Sequence, residues 1–335
     1  MQDAPAKVLV LGAGSWGTAV AIHLAGRGMD TVLWGHDRKA VERLARERQN
    51  GCYLPSVVFP ERLQLDADLP QAAAGARLIV VAVPSHAFRE TLVQVRPCVR
   101  DVDLVWLTKG LEQRTGKFLH TVVEETFGDA VVSAVLSGPS FAAEVAAGVP
   151  TAVSLAAASL EESVRIARFF HSDRFRVYAC NDVVGVELAG ASKNVFAIAA
   201  GIADGLGYGA NTRAALITRS LAEMTRLGRA VGGRMETFMG LSGVGDLILT
   251  CTDNQSRNRR LGLALGRGEA LQNAVAAIGQ VVEGVNTAAE IRALARRHGV
   301  EMPIVEQVCA VLFDGKTPRQ AVDDLLSRDP RPEYF

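Results

Sequence analysis

Short, almost unbroken apolar runs recur through the first half of the chain, separated by longer stretches in which apolar residues return at helical spacing. The runs KVLVLG from residue 7, TVLW from 31, LIVVAV from 78, LVWLT from 104 and VVSAVL from 131 are short enough for strands. Their near-continuous apolar character requires cover on both faces. Strands of this kind alternating with helices predict an α/β unit, a doubly wound parallel sheet with helices on either side. After FRVYAC at 175–180 the pattern changes to Ala-, Leu- and Gly-rich helical segments without strand signals. A boundary near residue 185 is expected, with a sheet domain over 1–185 and an all-α C-terminal domain over 186–335.

One helical stretch, LAGASKNVFAIAAGIA from residue 188, carries a single charge, Lys193. Its neighbours at helical offsets, Ala189, Gly190, Phe196 and Ala197, cannot pair with an ammonium. The run continues for ten residues beyond it, about 15 Å of helix, which a lysine stem cannot clear axially. Burial of that kind lowers a lysine pKa by as much as ~3 to 5 units, and such groups concentrate at functional sites.

Composition removes several classes. A chain of 335 residues suits two domains. Lysine plus arginine (36) equals aspartate plus glutamate (36), so no overall field draws the chain to nucleic acid or an anionic membrane. LIVVAV is far short of the ~20 apolar residues of a membrane span, and MQDAPAK lacks the form of a signal peptide. Cys52, Cys98, Cys180, Cys251 and Cys309 are scattered without CxxC spacing, and the histidines form no HExxH pair. Reduced thiols in a cytosol and no metal site are expected. The final SRDPRPEYF reads as a tail.

The first strand runs into LGAGSWGTAVAIHLAGRG, which sets Gly12, Gly14 and Gly17 in GxGxxG spacing between strand and helix. In that context the motif predicts a Rossmann-type dinucleotide site, with a tight turn, close backbone approach to a pyrophosphate, and helix amides facing it. After the second strand come Gly35, His36, Asp37 and Arg38. The acid that usually meets the ribose is displaced and bases stand beside it. His36 or Arg38 would then accommodate a 2′-phosphate, so NADP(H) is accepted or preferred, and Asp37 leaves room for NAD(H). The alternative is a solvated loop. GKT at 315–317 lacks the first glycine and the strand of a P-loop.

Ligands of such sheets bind beyond the strand carboxyl ends. LTKGLE puts Lys109 there, and LSGPSFAAE places Gly138, Pro139 and Ser140 between a strand and a helix. Lys109 serves a ligand or is a surface lysine, and Ser140 meets substrate or caps the helix. Downstream, Asp246 either caps a helix or joins the site. Ser256, Arg257 and Asn258 suit capture of a small phosphate. Arg259 and Arg260 read as basic helix surface.

Taken together, LGAGSWGTA, LTKGLE, LSGPSFAAEV, ELAGASKNVFAIAAG, GVGDLILTC and SRNRRLG resemble the bacterial-type NAD(P)-dependent glycerol-3-phosphate dehydrogenases. The likeness runs from about residue 7 to about residue 325. It implies reversible reduction of dihydroxyacetone phosphate to sn-glycerol 3-phosphate for phospholipid synthesis, in a cytoplasmic homodimer. By position it implies Lys193 as the acid/base, with Lys109 and Asp246 orienting and polarising the site. It surrounds the substrate with Lys109, Gly138, Ser140, Lys193, Asp246, Ser256, Arg257 and Asn258. It also assigns the cofactor to Ser15, Trp16, His36, Lys109, Ala142, Arg257, Val281 and Glu283, beside the glycines and Arg38. The rivals are a related reductase of another 3-hydroxy acid or sugar acid, disfavoured because Lys193 and Asn194 are adjacent rather than a turn apart, and a dinucleotide-binding sensor without turnover.

Overall fold

The computed structural model describes residues 6–55, 57–330 and 332–333. Most of the N-terminal MQDAPAK stretch, and Arg331, Tyr334 and Phe335 of the tail, lie outside those residues. Eight strands, β1 (Lys7–Leu11), β2 (Asp30–Trp34), β3 (Leu63–Asp66), β4 (Leu78–Val81), β5 (Asp103–Trp106), β6 (Val132–Ser137), β7 (Thr151–Ala157) and β8 (Phe175–Cys180), form one sheet in the order β3-β2-β1-β4-β5-β6-β7-β8. Helices α1 (Ser15–Gly26), α2 (Arg38–Glu47), α3 (Leu69–Ala73), α4 (Phe88–Val95), α5 (Leu119–Phe127), α6 (Ala142–Ala146) and α7 (Leu160–Phe170) connect the strands. The five apolar runs seen in the sequence are β1, β2, β4, β5 and β6.

Those runs are continuous because each strand feeds two cores. Val8, Val10, Leu78 and Val80 pack on one face of the sheet; Leu9, Leu11, Ile79 and Val81 pack on the other. All eight are fully buried, as strands covered on both faces require.

The sheet is not wholly parallel. β6 and β7 pair antiparallel, Leu136 opposite Leu155. A parallel return needs a crossover of a dozen or more residues, usually a helix that spans the sheet. The link between these strands holds only the five-residue α6, about 7.5 Å long, so the chain turns back beside β6.

Every described regular element after β8 is helical: α8 (Val183–Gly205), α9 (Ala210–Ala230), α10 (Met235–Phe238), α11 (Asp246–Thr252), α12 (Arg257–Gly266), α13 (Leu271–Ile278), α14 (Glu283–Arg297), α15 (Pro303–Phe313) and α16 (Pro318–Leu326), with one turn of π-helix over Leu241–Gly245. Helix α8 is long and apolar enough to cross a bilayer. Here it is the axis of the helical core: every residue from Gly185 to Ala203 is buried, and α9, α11, α12 and α14 pack around it.

The tightest of those contacts is with α12. A methyl added at Gly201 would fall 2.2 Å from the carbonyl oxygen of Arg259, and one at Gly262 would fall 2.1 Å from that of Ile198. Gly205 and Gly266 repeat the arrangement one turn on, at 2.5 Å from Leu263 O and 2.4 Å from Ile202 O. The two backbones therefore touch without intervening side chains, which carries the start of α12 to the middle of α8.

Candidate active site

The glycine turn lies where the strand order reverses, between β1 and β4. Gly12 has φ +114°, and a Cβ there would sit 2.8 Å from Ala82 O. At Gly17 a Cβ would sit 2.0 Å from Gly12 O, so α1 approaches the strand closely only as glycine. Gly14 faces open space, with nothing within 4 Å of a Cβ. No side chain caps α1, whose first residues are Ser15 and Trp16. The Trp16 indole nitrogen is buried without a protein partner among the described residues. A backbone cradle that stays empty where a side chain would fit, at an uncapped helix N-terminus, fits a pyrophosphate.

Asn50 braces this turn, its Nδ2 donating to Ala13 O at 3.1 Å and to Thr18 Oγ1 at 2.9 Å. His36 and Arg38 are exposed at the start of α2. Asp37 caps that helix by accepting from Ala40 N at 3.2 Å, so its carboxylate has a structural task.

The sheet ends and the helical domain meet at Asp246. Its Oδ1 accepts from Lys193 Nζ at 2.5 Å and its Oδ2 from Lys109 Nζ at 2.6 Å. Lys109 also donates to Gly138 O at 3.1 Å, an acceptor shared with Ser140 Oγ at 2.9 Å. Lys193 donates its second proton to Thr250 Oγ1 at 2.8 Å. Lys193, Asp246 and Thr250 are 7, 1 and 3% exposed. The partner that α8 itself cannot supply is thus brought by α11, where Asp246 and Thr250 stand one turn apart.

Neither capping alternative holds. Asp246 is the first residue of α11, and its side chain is turned to the lysines. The N-cap of α6 is Phe141, not Ser140, because Ser140 spends its hydroxyl on the Gly138 carbonyl.

Burial pushes the Lys193 ammonium down to about 7; the Asp246 carboxylate opposes that shift and the Lys109 charge adds to it. An amine near neutrality can both give and take a proton.

At the start of α12, Ser256 is the N-cap, accepting from Arg259 N at 3.2 Å. Asn258 Nδ2 donates to Asn194 Oδ1 and its Oδ1 accepts from Gly284 N, both at 2.9 Å, so it ties α8 to α14. One N–H of that amide is left over. Arg257 is half-buried; burial lowers its pKa and the Glu283 charge opposes the shift. Arg259 is not surface: it is 7% exposed and pairs with Asp204 of α8 at 2.5 Å. Arg260 is exposed, as expected.

Glu283 opens α14 and accepts from Ser85 Oγ at 2.9 Å, and burial raises its pKa. Ala142 starts α6, and Val281 is 39% exposed just before α14. Hydrogen bonds join Lys109, Gly138, Ser140, Lys193 and Asp246 into one cluster. His36, Arg38 and Val281 are not drawn into it. Thr250, Asn50 and Ser85 were absent from the expected set. Thr250 was readable as the residue four after Asp246, and Ser85 as the polar position after the β4 run.

Comparison with known proteins shows the family to which the chain is similar. Residues 7–163 match the family described as NAD-dependent glycerol-3-phosphate dehydrogenase N-terminus, and residues 182–323 match the corresponding C-terminus family. The NAD(P)+ glycerol-3-phosphate dehydrogenase of Pseudoalteromonas translucida is 53% identical over 335 residues, covering 99% of this chain and 100% of that protein. The Thioalkalivibrio sulfidiphilus protein of the same name is 56% identical over 328 residues, 98% of each chain. The crystal structure of glycerol-3-phosphate dehydrogenase from Coxiella burnetii is 47% identical and superposes with a TM-score of 0.93, covering 97% of this chain and 99% of that one.

Proposed function

The chain belongs to the NAD-dependent glycerol-3-phosphate dehydrogenase family, and from that membership we infer an NAD(P)H-dependent oxidoreductase that reduces dihydroxyacetone phosphate reversibly to sn-glycerol 3-phosphate, the backbone of glycerophospholipids. The observation that carries the assignment of roles is the division of one buried carboxylate, Asp246, between two amines, Lys193 and Lys109.

A bound nicotinamide supplies the two electrons of the reduction as hydride to the ketone carbon. Lys193 gives its proton to the developing alkoxide oxygen and, in the reverse direction, takes it from the hydroxyl. Asp246 and Thr250 fix the direction of its Nζ. Lys109 lends a second positive charge where negative charge develops, steadied by Gly138 O. Arg257, with Ser256 and the remaining N–H of Asn258, holds the substrate phosphate, and that remote grip aligns the carbonyl.

Gly12, Gly14, Ser15, Trp16 and Gly17 would cradle the pyrophosphate, and the family resemblance assigns Ala142, Val281, Glu283 and Arg257 to the same cofactor. His36 and Arg38 favour the 2′-phosphate, and with Asp37 engaged as a helix cap we expect NADPH to be the better cofactor. A homodimer in the cytoplasm is the assembly and location that family membership supports, and the five free thiols fit a reducing compartment.

The direct test follows NADPH absorbance with purified protein. Oxidation that depends on dihydroxyacetone phosphate and yields glycerol 3-phosphate is expected; NADPH consumption indifferent to that ketone overturns the reading.

A further inference from the structure

Ser85 opens the turn after β4 and is 2% exposed. Its hydroxyl donates to Glu283 Oε2 at 2.9 Å, and its backbone N–H reaches Oε1 at 3.4 Å. Both donors of one residue in the sheet domain thus point to one carboxylate at the start of α14, 198 positions later. The same strand end backs the glycine turn, since a Cβ at Gly12 would touch Ala82 O and, at 3.2 Å, Val83 Cγ1.

A third segment locks into this junction. Gly110, the residue after Lys109, is packed so closely that a Cβ would lie 3.1 Å from Ser85 Cβ, 3.2 Å from Ser85 Oγ and 3.3 Å from Thr287 Oγ1. Thr287, one turn after Glu283 on α14, is 1% exposed. The β4 turn, the loop bearing Lys109 and the start of α14 therefore meet at Ser85.

We propose that Ser85 is a positioning residue for the cofactor: it fixes the Glu283 carboxylate in register with the glycine turn of the sheet domain. The proposal rests on the NADP(H)-binding reading above. A carboxylate held by a hydroxyl and an amide has one orientation. Without the hydroxyl only the longer amide contact, at 3.4 Å, remains, and the carboxylate is free to turn.

The experiment is a double-mutant cycle of Ser85→Ala and Glu283→Ala, read by titrating NADPH against tryptophan fluorescence without substrate. Ser85→Ala should weaken NADPH binding about tenfold, the scale of one lost hydrogen bond to a charged group. In steady state KM for NADPH should rise by a similar factor while kcat changes less than about threefold. In the Glu283→Ala background the Ser85→Ala change should have no further effect, because its target is gone. A role limited to structural support would cost the same factor in both backgrounds. Should Ser85→Ala not fold, the nearly isosteric Ser85→Cys, a weaker donor, carries the same comparison. Unchanged NADPH affinity, or equal losses in the two backgrounds, overturns the proposal. Wild-type protein that fails to bind NADPH in the titration would overturn the cofactor reading and this proposal together; wild-type binding with no effect of Ser85→Ala overturns this proposal alone.

Discussion

Lys193 on α8 and Asp246 on α11 meet at 2.5 Å, Nζ to Oδ1, with both side chains closed off from solvent. An apolar helix carries the amine and a second helix brings the counter-charge, so neither element alone explains why the lysine is tolerated. Removing the amine should separate chemistry from binding. Lys193→Ala is expected to lower turnover by about 10²- to 10⁴-fold, the range of a positioned acid/base, while NADPH titrates as in the wild type. Activity retained at the wild-type level would remove Lys193 from the mechanism.

The titration of this amine has a sign that depends on its two neighbours. Reduction needs the proton on Lys193, so its kcat/KM should fall as pH rises through about 7, and that of oxidation should rise over the same interval. Asp246 holds the pKa up and Lys109 holds it down. Asp246→Asn should therefore move the midpoint to lower pH, and Lys109→Met should move it higher. Profiles of kcat/KM for the three proteins check this, and shifts in the same direction for both variants would contradict the assignment.

Open space at Gly14 is not a demand of the fold, and in the proposed function it receives the cofactor pyrophosphate. Its backbone angles suit any residue, and an added Cβ meets nothing within 4 Å. Gly14→Ala should leave the urea midpoint of the unloaded protein unchanged and weaken NADPH binding severalfold, on the order of 1 kcal/mol for a methyl intruding on a fitted contact. Equal NADPH affinity would show that the pyrophosphate lies elsewhere.

Gly201 makes the opposite case. A methyl there collides with Arg259 O at 2.2 Å, so Gly201→Ala should cost roughly 1–3 kcal/mol of stability in urea denaturation. Gly262→Ala acts on the same seam, so the double variant should lose less than the sum of the two.

Discrimination between cofactors should reside in exposed side chains after β2. Arg38→Ala is expected to lower kcat/KM with NADPH by about tenfold, as for a lost charge-assisted contact, and to leave the value with NADH nearly unaltered. A wild-type preference for NADH would contradict the expected role of both His36 and Arg38.

Much of this molecule is legible in its sequence, for a physical reason. Residues 8–11 and 78–81 are apolar without interruption because they serve two cores, and that signal survives in one dimension. The GxGxxG turn and the isolated charge of Lys193 are local as well. By contrast β3 (LQLD) is a half-buried edge strand and β7 is Ala-rich, so neither stands out, and the antiparallel return at β7 depends on how short the helix in its link is. Whether Asp246 or Ser140 caps its own helix or serves a distant group stays open in one dimension for a similar reason, because tertiary neighbours decide it. Arg259 looked like solvent-facing charge because Asp204, its partner, lies on another helix. Ser85 and Glu283 are separated by 198 positions, and nothing in either neighbourhood announces the other.

The seam between α8 and α12 bears on how faithfully the molecule measures its substrate. Because main chain abuts main chain at Gly201 and Gly262, the helix that carries Lys193 and the helix that begins with Arg257 are held backbone to backbone, with no side chain between them to yield. On the roles proposed for Lys193 and Arg257, a ketone phosphate one carbon longer or shorter should react more slowly than dihydroxyacetone phosphate, because the two helices cannot slide to follow it.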